Sequence, residues 1–98
     1  MTREEIVGSL LALKPSIERE GAVSLYMYGS RARGDARPDS DVDLFVEYDP
    51  AKKFSLLALA GIKLIIDDAL QLEAHVTTRD SLHPKLRTEI EQQALRIF

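Results

Sequence analysis

Apolar residues recur first at Ile6, Leu10, Leu13 and Ile17, the spacing that lines one face of a helix. Thr2 and Glu5 precede them at the spacing of a capping box, so the pattern predicts a helix from Thr2 to Glu20, ended by Gly21. Pro15 falls inside it and removes a backbone donor, which predicts a kink or a break near Leu13 to Pro15. From Ala22 the period changes to a short β-rich run, Val-Ser-Leu-Tyr-Met-Tyr, that stops at Gly29. Tyr26 and Tyr28 alternate there with Leu25 and Met27, so at least one tyrosine is expected in the core. Asp41 to Tyr48 alternates again, with Val42, Leu44 and Val46 on one face and Asp41, Asp43, Phe45 and Glu47 on the other.

Pro50 and the lysines after it end that strand, and Phe54 to Leu70 is long and apolar enough for a helix. Leu56, Leu57, Leu59, Ile62, Leu64, Ile65 and Ile66 exceed a single stripe, which predicts burial on two sides, within the fold or against a partner chain. Asp67 and Asp68, near its end, are expected to be solvated, in a position unfavourable for the helix dipole. Gln71 to Thr78 reads as a third strand and Ser81 to Gln93 as a helix with Pro84 in its first turn, where His83 should lie on the surface. Ala94 to Phe98 can add a short terminal strand. Strands alternating with helices imply an α/β (α+β) fold, a small mixed sheet with helices packed on it, in which the end of the first strand and the start of the second lie side by side.

With 98 residues, the chain fits a single domain spanning 1–98, too small to enclose a deep pocket alone. A second substrate must then come from a partner or lie on an open face. A net charge of −3 lacks the basic surplus of an electrostatic nucleic-acid binder, so DNA or RNA is not the expected partner. The absence of cysteine excludes disulfides and thiolate metal sites. The N-terminus is acidic and amphipathic where a signal peptide is basic and then apolar, and nothing points to a membrane, so the expected location is cytoplasmic.

Candidate chemistry lies between the first two strands. Asp41 and Asp43, two apart on a strand, face the same side about 7 Å apart at Cα. Carboxylates held so close repel, a cost commonly met by a cation between them, and hard oxygen ligands of this kind suit Mg²⁺ completed by substrate phosphates. Solvated strand-edge acids are the plainer alternative. Gly29-Ser30 shifts the balance: glycine lets the backbone approach a ligand, and the serine with the following amides can donate to phosphate oxygens. Arg31, Arg33 and Arg37 are near enough in sequence to neutralise a triphosphate.

Gly29-Ser30, ten residues, then Asp41-Val42-Asp43, within GSRARGDARPDSDVDLFV, resembles the signature of the DNA polymerase β-like nucleotidyltransferase superfamily, most closely its minimal nucleotidyltransferase (MNT) branch. The resemblance implies a polymerase-palm-like sheet in which Asp41 and Asp43 hold Mg²⁺ and Gly29-Ser30, with Arg31 and Arg33, bind ATP or another NTP. It implies in-line displacement at the α-phosphate with release of pyrophosphate. Members of the branch are often antitoxin partners of small helical HEPN-type toxins, and some transfer AMP to the toxin, so a protein hydroxyl is the implied acceptor. A non-catalytic antitoxin that neutralises its partner by occlusion is the alternative; an antibiotic-modifying transferase fits less well, for want of a second domain.

The chain departs from the family at one position. The branch places a third carboxylate on a later strand, and counting back from Leu82-His83-Pro84 puts His75 there. Glu73, two residues earlier on the same face, could replace it only with a shift of register. An imidazole can accept a proton but brings no negative charge to a metal. His75 thus joins Asp41 and Asp43 as the third catalytic candidate.

Overall fold

The computed structural model describes residues 1–98. The expected first helix is two: α1 (Arg3–Ala12), capped by the reciprocal Thr2–Glu5 hydrogen bonds, and α2 (Lys14–Arg19), with Pro15 in its first turn. The break falls at Leu13, where a proline nitrogen can donate nothing to the preceding turn. Strand β1 (Ala22–Tyr28) leads directly into a short helix, α3 (Gly29–Arg33). Strand β2 (Val42–Tyr48) follows, then α4 (Leu56–Leu70), β3 (Ala74–Thr78), a 3₁₀ turn (Arg79–Ser81), α5 (Pro84–Gln93) and β4 (Leu95–Arg96). The third strand starts later than its β-rich sequence predicts because Gln71, at φ 54°, caps α4 in the left-handed conformation.

The four strands form one sheet in the order β3-β2-β1-β4. Strand β1 runs antiparallel to β2 and β4, and β2 runs parallel to β3, so α4 is the crossover that a parallel pair requires. One face of the sheet carries Leu25, Met27, Val42, Leu44, Val46 and Ala74, which pack with Ile6, Leu10, Ile17, Ile62 and Ile66 into the core.

The other face, which carries Asp43 and Glu47, also holds an aromatic cluster. Phe45 is fully buried there, stacked on Tyr26 with ring centroids 4.7 Å apart and overlain by the Arg79 guanidinium. Neither tyrosine enters the core, contrary to expectation. Both alternate with the core residues Leu25 and Met27, so both project onto this second face, half-buried.

Within this chain helix α4 is buried on one side only. Only Ile62, Ile66 and Leu70 are buried, while Leu56, Leu57 and Leu64 are 84%, 82% and 67% exposed. Asp67 is not simply solvated: its carboxylate accepts from Lys63 Nζ at 2.8 Å and from the Ala74 amide at 2.7 Å. Burial would raise its pKa, but these donors hold it below the ordinary aspartate value. Lys63 also donates to the Ala74 carbonyl at 2.8 Å, so one pair of side chains grips both polar groups of that residue. No helix is long and apolar enough to cross a membrane.

Candidate functional site

The antiparallel register of β1 and β2 sets Tyr28 opposite Asp43, and Gly29 turns the chain into α3 with φ 72°. A Cβ on Gly29 would lie 2.6 Å from Asp43 Oδ2. Glycine is therefore required twice over, by a backbone angle that L side chains resist and by a carboxylate with no room to spare. Burial pushes the Asp43 carboxyl above its ordinary range; His75 opposes the shift, the like charge of Asp41 adds to it, and Arg33 opposes it.

The parallel register of β2 and β3 brings His75 beside Asp43. His75 Nε2 lies 2.8 Å from Asp41 Oδ2, both side chains being about half exposed. The structure thus gathers Gly29, Asp41, Asp43 and His75 at one end of one sheet face, as the spacing and the count back from Leu82 required. No register shift installs Glu73, whose carboxylate is met by Lys63 at 3.3 Å. His83 is exposed and caps α5 by accepting from the Lys85 amide.

The hydrogen bond to Asp41 raises the His75 pKa above 6.5. A histidine with a raised folded value stabilises the native state fully below the unfolded pKa, and this contribution disappears as pH rises through the folded value. Because the pair is exposed the stabilisation is small, so the titration itself is the better measurement. In NMR, His75 should titrate above 6.5 in the wild type and fall back towards it in Asp41→Asn; an unshifted wild-type midpoint would mean that the pair does not form.

The two arginines of the motif part company. Arg33 is exposed, paired with Asp35 at 3.2 Å, and close enough to Asp43 to act on its titration. Arg31 is buried and directed away from the carboxylates: its guanidinium donates to the carbonyls of Met1, Pro38 and Ser40. Its side chain turns inward beneath the loop that α3 and β2 enclose, a direction that sequence spacing does not reveal.

Arg79 escaped the sequence reading altogether. It donates to Glu47 at 2.8 Å and to Glu91 at 3.5 Å, and covers the rings of Tyr26 and Phe45. Its only sequence signal is its place just after β3. The cleft it lines with Glu47, Tyr48, Asp80, Arg87 and Glu91, about 470 Å³, lies at the far end of β2 from Asp43.

No group of three or more His, Cys, Asp or Glu side chains is placed to hold a cation by protein ligands alone. Asp41 and Asp43 are instead a two-carboxylate set, the donor chemistry that a hard divalent ion takes when phosphate oxygens and water complete its shell. The Gly29 backbone, held against Asp43 without a side chain, leaves that approach open. The residues therefore fit a divalent metal bound together with a phosphorylated ligand.

Comparison with known proteins gives the same picture. Residues 10–97 match the family model described as a nucleotidyltransferase domain. Protein adenylyltransferase MntA of Thermococcus cleftensis is 34% identical over 83 residues, which cover 84% of this chain and 82% of that protein. A solved structure described as a candidate minimal nucleotidyltransferase has a TM-score of 0.82 at 33% identity, covering 97% of this chain and 95% of the other. A chain in the structure of a tri-AMPylated Shewanella oneidensis HEPN toxin in complex with an MNT antitoxin has a TM-score of 0.70 at 14% identity, covering 99% of this chain and 72% of its own. At that identity the likeness is one of fold.

Proposed function

The chain belongs to the nucleotidyltransferase domain family, and from that membership we propose that it binds Mg²⁺-ATP and transfers AMP to a protein hydroxyl on a small helical partner of the HEPN type, releasing pyrophosphate. The observation that carries this reading is the convergence of Gly29, Asp41 and Asp43, a backbone approach for phosphate set against a two-carboxylate ligand set. The Thermococcus relative is named for adenylyl transfer to protein, and the Shewanella structure holds a HEPN toxin carrying AMP. Both support AMP as the group moved and protein as the acceptor class. The expected site of action is the cytoplasm.

Asp41 and Asp43 would hold Mg²⁺, which supplies charge neutralisation at the phosphates and orients the leaving pyrophosphate. Gly29 and Ser30 would receive phosphate oxygens through backbone and hydroxyl donors, and Arg33 would add positive charge at the rim. The acceptor oxygen forms its bond to the α-phosphorus as the bond to pyrophosphate breaks, and the hydroxyl proton leaves to water or to His75. In the free protein, His75 Nε2 donates to Asp41 and orients it. An imidazole in place of a carboxylate removes a negative charge from the reacting end, so a slow reaction is expected.

The reading is tested by incubating the protein with labelled ATP, Mg²⁺ and its natural partner. Label should appear covalently on the partner, and His75→Asp should accelerate its appearance by about tenfold or more, the scale of a restored charged ligand. A stable complex with an unlabelled partner would sink transfer and leave neutralisation by occlusion. Absence of any Mg²⁺-ATP thermal shift, alone or in the complex, would sink phosphate binding as well.

A further inference from the structure

Arg31 is the one buried charged side chain, 4% exposed, and no carboxylate pairs with it. All its hydrogen bonds end on backbone carbonyls: Nε and Nη2 reach the Ser40 oxygen at 3.3 and 2.8 Å, Nη2 also reaches Pro38 at 3.1 Å, and Nη1 reaches Met1 at 3.3 Å. A guanidinium buried without a counter-ion is costly, and every nitrogen is already engaged, leaving little to offer a phosphate.

What it grips decides its role. Arg31 sits in α3, two residues after Gly29, and the carbonyls of Pro38 and Ser40 belong to the loop that delivers Asp41. The Ser40 oxygen lies in the same rigid peptide plane as the Asp41 amide nitrogen, so a two-pronged hold on that oxygen fixes the peptide entering Asp41. The remainder of the turn is closed by the Ser40 amide on the Arg37 carbonyl at 3.0 Å and the Arg37 amide on Ser40 Oγ at 2.8 Å. Arg31 thus joins the phosphate-facing segment to the metal-facing one.

We infer that Arg31 is a positioning residue of the divalent-metal site, setting Asp41 relative to Asp43 and Gly29 without touching nucleotide. The inference rests on the proposed Mg²⁺-ATP reading for its ligand but not for its geometry. Lysine cannot replace it, because a single ammonium does not fork one oxygen while reaching two more.

Two measurements test this. In Arg31→Lys and Arg31→Met, calorimetric titration with ATP in EDTA should give an affinity within about twofold of wild type, while the gain on adding Mg²⁺ should shrink by about tenfold or more, as for supports of metal ligands. If metal-free ATP affinity falls and the Mg²⁺-dependent gain survives, Arg31 is a phosphate ligand and the inference is wrong. If both affinities hold while the melting temperature drops, its role is purely structural, which also overturns it. Should the variants not fold, the wild type decides: the Arg31 Nε proton should exchange with water far more slowly than that of Arg33 and stay unmoved by metal-free ATP. Fast exchange, or a shift on adding ATP, refutes the inference. A wild type that binds no ATP with or without Mg²⁺ removes the nucleotide reading and Arg31's metal role with it, even where slow Nε exchange confirms its hold on the loop.

Discussion

Asp43→Asn is expected to lose AMP transfer by about a thousandfold or more while melting no lower than the wild type. The first effect follows from removing one of two hard ligands, and with it charge stabilisation worth several kcal/mol at the reacting phosphate. The second follows from the cost of keeping Asp43 ionised. Its carboxyl titrates above the ordinary range chiefly because it is desolvated. An acid whose folded pKa is raised loses native-state stability as pH climbs from its unfolded pKa, in full once pH exceeds the folded value, so the charged form is a burden that asparagine lifts. A residue kept for chemistry at the expense of stability should show this opposition. Label transfer and a thermal melt on the same preparation check it; a variant that loses activity and melts several degrees lower would make Asp43 a folding residue.

Gly29→Ala should cost about a hundredfold in transfer, the scale of a displacement near 1 Å at a reacting centre. The added carbon would fall 2.6 Å from Asp43 Oδ2, well inside contact distance, so carboxylate or loop must move. The positive φ adds about 1–3 kcal/mol of backbone strain. Gly34→Ala provides the comparison: its φ is also positive, at 85°, but nothing lies within 4 Å of the position its Cβ would take. It should share the loss of stability and keep far more of the transfer activity. Equal activity losses in the two variants would show that strain alone, and not the crowding of Asp43, accounts for the effect.

Much of this architecture is legible in the chain because its elements are short and their periods clean. Alternation through Val42, Leu44 and Val46 fixes which way Asp43 faces, and the count back from Leu82 places His75 where the parallel register pairs it with Asp43. The illegible parts share a physical cause: they depend on what a neighbouring element covers. Alternation places Phe45 on the face opposite Val42, Leu44 and Val46, but only Tyr26 and Arg79 closing over it bury that position. Arg31 reads as a phosphate ligand until the loop it supports folds around it. Asp67 reads as an ill-placed helix-end acid until Ala74 arrives beneath it. Leu56, Leu57 and Leu64 promise two-sided burial, but this side of the sheet supplies only one contact surface.

The grip of Lys63 and Asp67 on Ala74 also bears on the exposed edge of the sheet. Strand β3 is the free margin of the sheet. The Val42 amide takes the Glu73 carbonyl, so the N–H and C=O of Ala74, next along, face outward. Such groups are ordinarily a template on which another chain can add a strand. Here an ammonium and a carboxylate already occupy them, and the opposite margin, β4, is only two residues long. Strand addition is thus hindered at the Ala74 end of one margin, and the other margin offers only two residues to build on.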